Sequence, residues 1–164
     1  MTARKILLDQ LAACNDKNAW FVSMKSALAG LTAGQAAQLP SSGGHSIWQI
    51  LNHVHFWTER YLARFRALPL AEVKDNSSTF FPPASAAEAA WQEACTRFSA
   101  LMAEWEKSLA EAPEAKLEGP IRPDAPDTWY FAIANMLLHA AHHIGQIVTL
   151  RKVQGSWDPH QGVS

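Results

Sequence analysis

Apolar residues recur along this chain at the three-to-four spacing of amphipathic helices, not at the alternation of strands. Leu7, Leu8, Leu11, Trp20, Phe21, Met24 and Leu28 predict a first helix from Thr2 to Ala29, stopped by Gly30. Leu31 to Gln38 adds a short helical turn capped by Thr32, and Pro40-Ser41-Ser42-Gly43-Gly44 is loop by composition. A second helix begins at His45 or Ser46 and runs to Leu68, before Pro69, with a wide apolar set from Ile47, Trp48, Ile50 and Leu51 through Val54, Trp57 and Tyr61 to Leu62 and Phe65. Pro69 to Ala84 is a long irregular connection. Ser85-Ala86-Ala87-Glu88 has the form of a capping box and opens a third helix to Ala110, with a stripe of Trp91, Cys95, Phe98, Leu101, Met102, Trp105 and Leu109. Pro113, Pro120, Pro123 and Pro126 keep the next segment out of regular structure until Asp127 or Thr128 caps a last helix, which runs to Gln154 before Gly155.

Four helices of this length predict an all-α four-helix bundle. The connection between the second and third, about 16 residues, spans about 50 Å when extended and exceeds a helix of about 33 Å, so it is long enough for a crossover. At 164 residues with 48% hydrophobic content and seven Trp, residues 1–164 form a single domain with a sizeable core. The 14 basic and 15 acidic residues nearly cancel, and no Lys/Arg block occurs, so nucleic acid is excluded as an expected partner. Cys14 and Cys95 form no metal or redox spacing and read as reduced thiols of a cytoplasmic protein. Met1 to Cys14 has a superficial likeness to a lipoprotein leader, but Asp9 and Gln10 interrupt it and the amphipathic pattern continues past Cys14. No stretch has the roughly 18 uninterrupted apolar residues of a membrane span, so no membrane partner is expected.

The candidate chemistry lies in histidine. On a helix, His139 and His143 stand one above the other and can direct both imidazoles into one volume, a two-point clamp for a divalent metal ion such as zinc or nickel. A catalytic site needs a third ligand, and His clusters again at His53 and His55 on the second helix. These two are rotated about 200° apart, so only one can serve; spacing alone leaves both open, although His53 shares the flank of Ile50, Val54 and Trp57. If the second and last helices are antiparallel neighbours, His53 lies about 10 Å from the start of one and His143 about 16 Å from the end of the other, so their levels agree.

The segment Ile47-Trp48-x-x-Leu51-x-His53-Val54, followed by His139-x-x-x-His143-x-Gly145-Gln146, resembles the DinB superfamily. The resemblance extends to Leu31-Thr32-x-x-Gln35-Ala36 and to Leu150-Arg151-x-x-x-Gly155-x-Trp157. It implies an up-down-down-up bundle with the long crossover between helices 2 and 3, a metal triad of His53, His139 and His143, and a homodimer. It also implies a metal-dependent enzyme. That superfamily includes transferases using low-molecular-weight thiols such as bacillithiol or mycothiol, a mycothiol-dependent maleylpyruvate isomerase, and metal-dependent hydrolases. A non-catalytic, stress-associated metal-binding protein is the other class to weigh. The reactive group would be a thiol or a water at the triad, not a catalytic side chain, because no Ser/His/Asp set, paired carboxylates or phosphate-binding Gly loop accompanies the cluster. Gly145 implies close approach of a neighbouring helix. Gln146 and Asn52 are candidates either to hold an imidazole or a bound water, or to make an ordinary interhelical hydrogen bond. His142 reads as flanking, and His45 and His160 as uninvolved. The loop from Leu31 to His45 and the tail around Trp157 are expected to close the pocket.

Overall fold

The computed structural model describes residues 1–161 and is all helix, with no strand among the described residues beyond an isolated antiparallel bridge between Pro120 and Thr128. The single-domain expectation over 1–164 thus extends, at residues 162–164, outside the described residues. The elements are α1 (Ala3–Asn15), α2 (Met24–Leu28), α3 (Ala33–Ala37), α4 (Ile47–Phe65), α5 (Glu88–Glu111), α6 (Glu114–Glu118) and α7 (Trp129–Gln154), with 3-10 turns at Ser77–Thr79 and Pro159–Gln161. Local chemistry explains most of the boundaries. Thr32 with Gln35 and Ser46 with Gln49 form reciprocal capping boxes, Thr128 caps α7, and Gly155 ends it in the left-handed region at φ 68°.

Three expectations are corrected. The first helix is broken: α1 stops at Asn15, and the Asn18 side-chain carbonyl accepts from both the backbone N–H and the hydroxyl of Ser23, which caps α2. Asn and Asp side chains offer the backbone partners that a helix cannot match, and Trp20, assigned to the apolar stripe, is instead 98% exposed outside any helix. The second correction concerns Ser85, which accepts only from Ala87 N–H and does not cap α5. Its supposed box partner Glu88 reaches across to Ala33 N–H in the first turn of α3 at 2.8 Å, and that bond, with one from Gln92, holds its carboxyl below the usual range. The third is α6, a turn of helix entered directly after Pro113 in a segment expected to be irregular; a proline costs little there because its missing N–H would have no intrahelical partner.

Helix α1 packs on α5 and α7, α4 packs on the same two, and α2 and α3 close the end against α7, α4 and α5. The core runs through Leu11, Leu51, Trp91, Phe98, Met102, Trp105 and Ile144. Two of its indoles donate to backbone carbonyls: Trp91 Nε1–H bonds Leu31 O and Trp105 Nε1–H bonds Thr58 O, each at 2.9 Å. Arg151, only 3% exposed, donates to Ala27 O at 2.7 Å and Ser156 O at 2.6 Å, tying the end of α7 to α2. No helix among the described residues is long and apolar enough to cross a membrane.

What matters for the site is the connection from α4 to α5. It folds back along α4, held by Asn52 Nδ2–H to Phe81 O at 2.8 Å and by Trp57 Nε1–H to Asn76 Oδ1 at 3.2 Å. Those two anchors place the Ser77–Thr79 turn and Phe80 directly over His53.

Candidate metal centre

Helices α4 and α7 bring His53, His139 and His143 together. His53 Nε2 and His143 Nε2 each lie 3.0 Å from His139 Nε2, and one ring nitrogen from each residue falls within 4.8 Å of the others. An ion about 2.0–2.1 Å from two nitrogens at tetrahedral or octahedral angles separates them by about 2.9–3.4 Å. The two shorter separations therefore suit imidazole coordination.

The hydrogen bonds fix which nitrogens are free. Thr79 has one hydroxyl proton, which goes to Asn76 O at 2.6 Å; its oxygen must then accept from His53 Nδ1–H, also at 2.6 Å. That leaves the lone pair of His53 on Nε2, facing its partners. Gln146 does the same for His143: Oε1 accepts from His143 Nδ1–H at 2.7 Å while the amide nitrogen donates to His142 Nε2 at 3.0 Å. A proton on His139 Nε2 can serve one or both of these lone pairs; a divalent cation serves all three. Phe80 stacks on His53 at 3.7 Å between centroids and on His45 at 3.9 Å, forming a three-ring pile that shields the His53 face.

Burial is the main reason that these imidazoles resist protonation, and each neighbouring imidazole adds to it. His53 is pushed down to about 3 and His139 to about 4; His143 is also lowered, partly opposed by its bond to Gln146. All three are therefore neutral at pH 7, the state in which imidazole ligates.

His55, the alternative ligand left open by spacing, points elsewhere, 3.8 Å from Glu59 and 3.5 Å from Arg97. His142 is exposed beside Gln146, and His160 lies in the exposed tail. Gln146 fulfils the role expected of an imidazole holder, whereas Asn52 anchors the α4 to α5 connection. His45, read as uninvolved, is the outer ring of the stack. Sequence reasoning misses Thr79 and Phe80; the one hint is the Phe80-Phe81 pair, the only aromatic residues in the connection 69–84. Gly145 is corrected: a Cβ there would meet nothing within 4 Å, so no helix approaches it closely. It lines a cavity instead.

Two cavities adjoin the triad, one of ≈ 490 Å³ lined by His53 and His139 and one of ≈ 630 Å³ lined by His143, Gly145 and the Pro40 to His45 loop. The loop thus stands where expected, but Trp157 lines neither cavity; it packs on the core with the Arg151 guanidinium 5.3 Å from its ring.

An all-helical chain with three neutral imidazoles from two facing helices turned to one point, beside open cavities, defines a class of helical proteins with a histidine site able to hold a divalent ion. The chain belongs to the DinB superfamily, whose family model matches residues 22–147. No curated protein and no solved structure matches it.

The imidazole shifts predict an acid-labile fold. Unfolded imidazole protonates near 6.5, far above the folded values, so below that pH the unfolded chain binds more protons and stability falls as pH drops from 6.5 towards 4. Urea melts of chelator-treated protein at pH 7.5 and 4.5 should show a His53→Gln/His139→Gln double variant losing less stability than wild type, by on the order of 2 kcal/mol. Equal losses would contradict the neutral-imidazole assignment.

Proposed function

We propose that this chain is a divalent-metal-binding enzyme of the thiol-dependent S-transferase type, with His53, His139 and His143 holding zinc or nickel. The observation that carries the reading is the convergence of three imidazoles, two of them with tautomers fixed by Thr79 and Gln146. A divalent ion on three neutral ligands keeps its full charge and supplies Lewis acidity, enough to acidify a thiol or a water. The chain's own part is to aim the ligands, keep them unprotonated and screen His53 behind Phe80. The adjoining cavities favour catalysis over a closed binding site, since a catalytic centre must admit a reactant. Thiol transfer is favoured over hydrolysis because no carboxylate joins the imidazole cluster among the described residues, and water activation profits from such a base. The thiol is external: burial pushes Cys14 up to about 12 and Cys95 to about 11, and neither belongs to the cluster.

The four long helices are read as an up-down-down-up bundle. Pairs between α4 and α5 rise together in sequence, from His55 with Arg97 to Arg66 with Glu104, which supports a parallel pair. Between α4 and α7 they run oppositely, from His53 with His139 to Phe65 with Trp129. The two free thiols, Cys14 and Cys95, support a cytoplasmic setting.

Purified protein should hold one divalent ion per chain, and His143→Ala should weaken its affinity by about tenfold or more while His142→Ala leaves it nearly unchanged. Metal-loaded protein should then transfer a low-molecular-weight thiol to an epoxide or chlorodinitrobenzene, with loss of turnover in His53→Ala. Equal effects of the two affinity variants would refute the triad. Ester or amide turnover without thiol would establish the hydrolase alternative, and metal binding without turnover in either panel would favour the non-catalytic one.

The assembly is proposed to be a homodimer, supported by apolar surface that this fold leaves uncovered: Trp20 is 98% and Leu138 66% exposed, the latter lining an apolar cleft of α1 and α7 with Phe21. Light scattering at micromolar concentration should report twice the chain mass of 18.1 kDa. A monomer there would contradict the dimer.

A further inference from the structure

The helices that carry the triad also build, on the same stripes, the wall of one cavity. On α7, Phe131, Asn135 and His139 follow at intervals of four, and Asp127 stands one interval before Phe131. On α4, His53, Trp57 and Tyr61 keep the same spacing, and all of these residues line the ≈ 490 Å³ cavity. One end of the cavity is the triad. Phe131 is about 12 Å further along the α7 axis from His139, and Asp127 lies beyond it.

Asn135 spends one of its two Nδ2–H groups on Phe131 O at 3.1 Å, and its Oδ1 remains an acceptor. The Trp57 indole is held in place by its bond to Asn76. Asp127 is half-buried, and among the described residues no ion pair occupies its carboxylate; its backbone carbonyl accepts from Ile121 N–H. It is the one Asp, Glu, Lys or Arg among the described residues that line the cavity. Arg64 lies 5.3 Å from the Tyr61 ring but does not line the space, so Trp57 and Phe131 are the rings left to a ligand. The arginine-lined cavity of the molecule is elsewhere: Arg60, Arg66 and Arg97, together with Glu59 and Glu104, line a separate space of ≈ 590 Å³ that touches none of the three imidazoles.

We infer that the cavity beside the triad is its substrate subsite and takes a cationic amine, with the ammonium beside Asp127 and the apolar body along Phe131 and Trp57. An ammonium is attracted both by a carboxylate and by the electron-rich faces of aromatic rings, whereas a carboxylate in the same place meets like charge and the same negative faces. The distance along α7 selects an elongated molecule, one whose reacting end reaches the imidazoles while its charged end stays at Asp127. This inference rests on the triad being the reactive centre.

Calorimetric titration of metal-free and zinc-loaded protein with phenylbutylamine and with phenylbutyrate tests it, since the two ligands share a body and differ in charge. The amine should bind about tenfold tighter than the acid. Asp127→Asn should erase that preference, and Asp127→Glu should restore it, with the melting temperature used to confirm that α7 still folds. An acid that binds as tightly, a preference that survives Asp127→Asn in folded protein, or no binding of either ligand to wild type would overturn the assignment. Zinc uptake separates the two readings: a preference for the amine in protein that fails to take up zinc on loading defeats the triad alone, and zinc held without the preference defeats only the subsite.

Discussion

Two imidazole lone pairs, on His53 Nε2 and His143 Nε2, are turned to the His139 Nε2 between them, and much of the structure around α4 and α7 serves to hold them there. His53 cannot turn its free nitrogen away without breaking its bond to Thr79, whose own proton is committed to Asn76 O. His143 is held in the same way by Gln146. Burial removes the alternative of protonation, which would separate the rings by charge repulsion.

This constraint gives the long α4 to α5 connection a purpose. A loop of this length adds conformational entropy to the unfolded chain, yet Asn52 and Trp57 pin it to α4, so that Thr79 orients one face of the triad and Phe80 covers it. The remaining sides stay open, His53 and His139 to one cavity and His143 to another. A site with one screened ligand and two approaches suits a reaction of two partners better than simple storage of an ion.

Three of the long helices and the His139/His143 pair were legible in the sequence because both are periodic, whereas His53 was singled out over His55 by the family resemblance. Apolar spacing locates α4, α5 and α7 within a few residues, and the four-residue step from His139 to His143 places two ligands on one stripe. What escaped was decided by particular side-chain partners, near or distant in sequence, that the apolar period does not reveal. Glu88 resembles half of a capping box until Ala33 N–H, far back in the chain, claims it. The break after Asn15 depends on one Asn18 side chain outbidding a helix that apolar spacing alone would continue. Thr79 and Phe80 sit in a connection without periodicity, where nothing local reveals that they meet His53.

The central claim is that three imidazoles share one ion, and X-ray absorption at the metal edge of zinc-loaded protein tests it most directly. The account predicts three imidazole nitrogens at about 2.0–2.1 Å, falling to two in His53→Gln and staying at three in His55→Gln. A sphere containing sulfur, or one unchanged by loss of His53, would contradict it.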